Sequence, residues 1–289
     1  MGFARALNAG QQARLSLEPA LSGVLSWNAH AGAGRISVRL LRGDIPDGEW
    51  LDLFEWNDAG RRSFSPQRDG VRVQTDVLRS DAPFDGIEAL IEGGDFAMVA
   101  FATPVAPRVS LPYAREALIL DVAPRSQYVV EGERGWCSPT CLAMLHAYHG
   151  IDLPTVQTAA AVFDSAYDGT GNWSFNVAYS GNLGLRAAAV YLDGLERAQR
   201  LIERGLPIAI SYRWEDRELP GAPLDRSDGH LVVLTGFTAN GDCAVNDPAH
   251  PHLRVVYPRA AVETIWQRSG GVAYVVAPVG IDFDDVLTT

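Results

Sequence analysis

Lysine is absent from this 289-residue chain, so all 24 of its Lys-plus-Arg cations are arginine. Against 35 Asp and Glu they leave a formal charge of −11. That balance excludes a binder that tracks nucleic-acid phosphates, which needs a basic surface. Cysteine is scarce as well, with Cys137, Cys141 and Cys243 the only three. An odd, sparse set is no disulfide framework. It fits a reducing compartment, or an exported enzyme with one working thiol. No apolar run reaches the ~18 residues of a membrane span. The N-terminal stretch lacks an apolar core of leader-peptide length, so the chain is expected to be cytoplasmic, or exported with a leader already removed. Apolar residues make up 47%, enough for a globular core. The length allows one large domain or two ordinary ones.

The two halves have different patterning. Ile36, Val38 and Leu40 alternate with polar residues, as do Val71 and Val73, the period of half-buried strands. Residues 96–101 are almost wholly apolar and read as a buried strand. Turn signals at Gly32-Ala33-Gly34, Pro46-Asp47-Gly48, Asp69-Gly70 and Gly93-Gly94 separate such runs. This spacing predicts an all-β sandwich over 1–115. Pro104, Pro107 and Pro112 then mark a linker or interdomain edge. The region 116–280 is mixed. Helices are expected from Ser138 to Tyr148 and from Leu195 to Arg204, and strands at 207–213, 230–237, 242–247, 253–257 and 272–277. A lead helix followed by an antiparallel sheet makes the fold class α+β. Residues 281–289 read as an acidic tail that frays.

The most informative segment is Trp136-Cys137-Ser138-Pro139-Thr140-Cys141. Pro139 is comfortable only in the first turn of a helix, with Ser138 as cap. Cys137 then lies at a helix N-terminus, where free N–H groups and the macrodipole favour a thiolate. The alternative is a small buried cysteine, the expectation for Cys141 one turn later. A zinc site from Cys137 and Cys141 would need His146, His149, His250 or His252. The usual short zinc spacing is missing, so no metal is expected.

The second segment runs from Gly229-His230 to Asn246-Asp247-Pro248 across Asn240-Gly241, a strong hairpin signal. A loop of two or four residues sets His230 opposite residue 249 or 251 and puts Asp247 on its face. A three-residue loop flips the parity and makes Asn246 the candidate. A thiol nucleophile needs an imidazole to exchange its proton and a third group to orient that ring. Cys137, His230 and Asp247 supply all three. Aromatic and polar residues at 169–182, among them Trp173 and Asn176, read as a long loop that lines a cleft or plugs onto the core. The charged stretch 213–228 before His230 reads as a gate, and residues 131–134 as a mobile rim.

These residues carry a resemblance. Ser126-Gln127-Tyr128, the Cys137 segment, the strand from His230 to Gly236-Phe237, and Val245 to Pro248 resemble the papain-fold cysteine peptidases, specifically the bacteriocin-leader (double-glycine) peptidase-like family. The resemblance covers about 120–278. It implies a papain-like fold, Cys137 as nucleophile, His230 as general base and acid, Asp247 as orienting residue and Gln127 as oxyanion-hole donor. It implies no cofactor and a peptide or protein substrate, with Trp136, Trp173 and Asn176 as candidate substrate contacts. Ser138 stands where leader peptidases usually carry glycine, and no transporter segments accompany the domain, which implies a stand-alone relative. The alternatives are an amidase or acyl transferase with the same residues, and a non-catalytic peptide- or glycan-binding relative. Trp27, Trp50 and Trp56 offer a platform for a glycan or cell-envelope contact, although aromatics in a small sandwich are usually core.

Overall fold

The computed structural model describes residues 2–29, 32–108, 116–131 and 135–288. His30, Pro112 and residues 132–134 of the expected rim lie outside them. The first half contains β1 (Phe3–Gly10), β2 (Gln12–Ala29), β3 (Gly34–Arg42), β4 (Ile45–Asn57), β5 (Gly60–Ser63), β6 (Gln67–Arg68), β7 (Val71–Gln74), β8 (Val77–Glu92) and β9 (Phe96–Ala102). The second half runs β10 (Leu118–Ile119), α1 (Cys137–Tyr148), α2 (Thr155–Val162), α3 (Trp173–Asn182), β11 (Leu185–Tyr191), α4 (Leu195–Glu203), β12 (Ile208–Trp214), β13 (Ser227–Phe237), β14 (Cys243–Asn246), β15 (Arg254–Tyr257), α5 (Arg259–Arg268), β16 (Val272–Pro278) and α6 (Asp284–Thr288). Every pairing between these strands is antiparallel. The protein is therefore mixed α/β, with few helices on largely antiparallel sheets. Among the described residues no helix is long and apolar enough to cross a membrane.

The strands of the first half hydrogen-bond as one nine-stranded sheet, in the order β1-β9-β2-β8-β3-β4-β5 with β7 and β6 branching from β8. The two separate sheets of the expected sandwich are replaced by this continuous one. The long strands β2 and β8 change register at Ser16, Ala20 and Ser22, and such irregularities bend a sheet. Strands β8 and β3 lie between β2 and β4, yet Trp27 of β2 stacks on Phe54 of β4 with centroids 4.9 Å apart. Only a sheet curled over its own core brings those rings together, since neighbouring strands are ~4.8 Å apart. Trp27 is buried core, Trp56 stacks on it at 5.5 Å, and Trp50 lies beneath the Arg39 guanidinium. The three tryptophans form no common platform. One hairpin turn also moves. Gly43 and Asp44 take positive φ between paired Arg42 and Ile45, while Pro46, Asp47 and Gly48 lie within β4.

In the second half a sheet ordered β11-β16-β12-β13-β14-β15 separates two layers. Alternation along β12 directs Ala209 to one face and Ile208 and Ile210 to the other. Leu142 and Leu145 of α1 share the first core with Leu231, Val233 and Val276. Leu201 of α4 and Trp266 of α5 share the second with Val232 and Val275. Residues 281–288 do not fray. Phe283 and Val286 are fully buried, the Val286 carbonyl accepts from Arg197 at 2.6 Å, and Arg204 pairs with Asp285.

The two halves are fused. Segment 169–182, expected to be a loop, contains α3, which lies between both sheets with Ser174 to Tyr179 buried in succession. Phe175 and Ala178 belong to the core of the first sheet, Val177 and Tyr179 to that of the second. Such a helix has no solvent face and no amphipathic period to read. Edge strand β11 meets side chains of β2 instead of another strand. Asn28 accepts from the Ala187 N–H at 3.0 Å and donates to the Ala187 and Val177 carbonyls, and Ser26 accepts from the Ala189 N–H. Asn28→Ala leaves these buried groups unpaired, at a cost of about 2 kcal/mol. A thermal melt should register this as a drop of roughly 4–8 °C in one shared transition; two separated transitions would contradict the fused core.

Candidate functional site

The chain enters α1 through Gly135, whose φ of +80° is left-handed and suits a residue without Cβ. Cys137 is the first helical residue and is partly exposed, with Pro139 two positions later inside the first turn. Ser138 is not the cap. It is fully buried, its hydroxyl donates to Asn176 Oδ1 at 3.0 Å, and it lies 2.9 Å from the Tyr274 hydroxyl. The flanking position Trp136 is the cap residue and makes no side-chain capping bond.

His230 lies near the start of β13 and Asp247 just past β14. Their loop, 238–242, is longer than any of the lengths considered from sequence. At its base Phe237 pairs with Cys243, but beyond Thr235 the register slips by one, so Leu234 pairs with Val245. That irregularity restores the parity that sets Asp247 on the His230 face. The His230 Nε2 donates to Asp247 Oδ1 at 2.8 Å. The Ala249 N–H gives a second bond to Oδ1 at 2.9 Å, and the Tyr257 hydroxyl donates to Oδ2 at 2.7 Å. Asn246 turns away, its amide donating to the Val122 carbonyl at 2.9 Å. The Trp214 ring meets the imidazole edge-on, with centroids 5.9 Å apart.

With Nε2 committed to Asp247, the His230 imidazole is near enough to the Cys137 thiol to act on its ionisation. Burial alone would push this thiol up. The bond to His230, the imidazolium charge and the Leu231 and Ser138 N–H groups outweigh it, and the net shift is down. Burial would likewise lower the His230 pKa, yet Asp247 and the thiolate raise it. Desolvation of Asp247 is overcome by His230, Tyr257 and the Ala249 N–H, which hold the carboxyl below its usual range. Both shifts run in the direction that favours a thiolate beside an imidazolium. Burial drives the other two thiols the opposite way, Cys141 well up and Cys243 to about 12.

Gln127 is anchored to the residue after Asp247, its N–H donating to the Pro248 carbonyl at 2.9 Å; the side-chain Oε1 is buried without a protein partner. Asn176 is no substrate contact. It is fully buried, and its amide donates to the Thr170 and Asn172 carbonyls, both at 2.8 Å. Trp173 packs half-buried against the core under α1, with its N–H on Asp76. Trp136 is half-buried next to the thiol. The stretch read as a gate is fastened by Trp214 Nε1 to the Leu224 carbonyl, by buried Leu219 and by Glu218 on Arg268 of α5. His146 binds Ser180 and His149 the Val276 carbonyl. Among the described residues no three side chains are grouped to hold a metal. Sequence reasoning missed Tyr257 and Trp214, whose places opposite Asp247 and His230 depend on strand order.

The model of the Peptidase_C39 like family matches residues 119–274, and the chain belongs to that family. No curated protein matches it. Seven chains of solved structures match it, two of them as follows. One is a crystal structure described as a C39-like peptidase from Bacillus anthracis, 20% identical over 56% of this chain and 98% of that one, with a TM-score of 0.45. The other is a double glycine motif protease from an AMS/PCAT transporter in complex with the leader peptide, 20% identical over 59% of this chain and 100% of that one, with a TM-score of 0.38.

Iodoacetamide at pH 7 should modify Cys137 of the native protein and leave Cys141 and Cys243 untouched, which peptide mass mapping reads directly. Removing the Tyr257 hydroxyl deprives Asp247 of a bond to a charged group worth about 1.5–3 kcal/mol. Tyr257→Phe should therefore move the midpoint of the alkylation pH profile to higher pH by up to about 1 unit. An unchanged midpoint would show that Asp247 does not depend on that donor.

Proposed function

We propose that the chain is a thiol-dependent peptidase acting through Cys137, His230 and Asp247, with the chemistry in 116–280 and residues 1–115 as a supporting module. The Cys137 thiolate attacks the scissile carbonyl carbon and forms a C–S bond. Negative charge moves to the carbonyl oxygen, where the Cys137 N–H and the Gln127 side-chain amide donate. The free N–H groups of a helix start and its macrodipole suit them to that oxyanion. The His230 imidazolium gives its proton to the leaving amine as the C–N bond breaks, leaving a thioester. His230 then takes a proton from water as the water oxygen attacks, and the thiolate departs. Asp247 holds the ring and balances its charge throughout.

The observation that carries this reading is the 2.8 Å His230–Asp247 bond beside a partly exposed thiol of lowered pKa at a helix start. Three donors on a buried Asp247 make it a fixed counter-charge. A peptide library incubated with the protein, read by mass spectrometry with and without an added amine, separates hydrolysis from acyl transfer. Cys137→Ala should abolish turnover and leave the melting curve in place. Gln127→Ala should lower kcat by about 10²–10³, the loss typical of one oxyanion donor. Cleavage that persists in a folded Cys137→Ala variant would overturn the reading.

A further inference from the structure

We infer that Asp76 of the N-terminal sheet is a positioning residue for Cys137, acting through α3 and its preceding turn, which clamp Gly135 and Ser138 on either side of the nucleophile. Asp76 lies in the turn between β7 and β8 and is buried. Its carboxylate accepts from the backbone N–H of Trp173, the first residue of α3. That N–H has no partner within its helix, so a residue from the other half completes its end. A second line runs beside it. The Ser63 N–H of β5 donates to buried Asp164 Oδ1 at 3.0 Å, and Asp164 Oδ2 accepts from the Asn172 amide at 2.9 Å.

Both lines meet at Asn176. Its Nδ2 binds the Asn172 and Thr170 carbonyls, and its Oδ1 accepts from Ser138. Because the Ser138 proton is spent on Asn176, the Tyr274 hydroxyl is the donor to Ser138 Oγ at 2.9 Å. On the other side of the nucleophile the Thr170 hydroxyl donates to the Gly135 carbonyl at 3.4 Å. Gly135 and Ser138 are thus both tied to one short stretch, 170–176, and that stretch is tied to the first sheet. Apart from the exposed Gly135, the residues of the clamp are buried or half-buried. Asp164, Tyr191 and Tyr274 are the titratable groups that face Asp76. A nucleophile displaced by ~1 Å loses up to ~100-fold in rate, so a mount of this kind has leverage over chemistry it never touches.

The inference rests on the reading of Cys137 as an activated thiol, and its test needs no substrate. Iodoacetamide alkylation of Cys137 is followed against pH in the full chain for wild type, Asp76→Ala, Asp76→Asn, Ser138→Ala and the Asp76→Ala/Ser138→Ala double variant, each with its melting curve. Asp76→Ala should slow alkylation at pH 7 by about tenfold or more and move the midpoint to higher pH. Asp76→Asn keeps an oxygen for the α3 N–H and should recover most of the loss. The double variant should lose less than the product of its single effects, since both act along one line. If Asp76→Ala does not fold, Asp76→Ser, with a shorter polar reach, takes its place. Midpoints and rates within about twofold of wild type, with only the melting curve lowered, would overturn the role of Asp76. A wild-type midpoint near the ordinary ~8.5 would instead overturn the activated thiol itself, and the inference with it.

Discussion

A charged imidazole kept almost out of water is expensive unless its counter-charge is equally well held. His230 and Asp247 meet that condition. The carboxylate spends one oxygen on His230 and the Ala249 N–H and the other on the Tyr257 hydroxyl, and Asp247 is 1% exposed. The rest of the site follows from this anchored pair. The Cys137 thiol is shifted down by its interaction with this ring, against the effect of burial. The other two cysteines, which His230 does not act on, are pushed in the opposite direction by burial. Position relative to one ring, rather than the chemistry of sulfur, separates the three thiols.

The elements that carry these side chains are held by unrelated means. Sheet register sets His230 against Asp247, since β13 and β14 are neighbours whose alternation is restored by the slip at Thr235. Cys137 belongs to a helix that crosses that sheet, and its place depends on how α1 and α3 pack. The first half of the chain enters the account there. Its sheet covers the β11 edge with Asn28 and Ser26, lends its core to Phe175, and finishes the α3 end with Asp76. An open strand edge invites pairing with other chains, and here it is closed by side chains from the same molecule. The first half thereby contributes to the scaffold that holds these elements.

Much of the site was legible because its logic is local. Pro139 after Cys137 marks a helix start, and Asn240-Gly241 between apolar runs marks the hairpin. The hairpin reading reached Asp247 although the loop is longer than expected, because the register slip cancels the difference in parity. What escaped was non-local. The α3 sequence is rich in Trp, Ser, Asn and Tyr, none a strong helix former, and it is buried on every side, so neither propensity nor period announces it. The curl of the first sheet comes from register shifts in β2 and β8 that leave no mark on an alternation pattern. The terminal segment was judged by its carboxylates, whereas Phe283, Val286 and Leu287 fall at helical spacing and dock it. Asn176 and Trp173 looked like cleft residues because a loop was assumed where a buried helix lies.

The thiolate content of the native protein tests the account most directly. Thiolate absorbance in the ultraviolet, followed from acid to alkaline pH as the difference between wild type and Cys137→Ser, reports the ionisation of this one sulfur. The account expects a thiolate already formed at neutral and mildly acid pH, and lost to an ordinary alkaline midpoint in His230→Ala. A wild-type difference signal that rises only near ~8.5, the value of an unperturbed thiol, would contradict it.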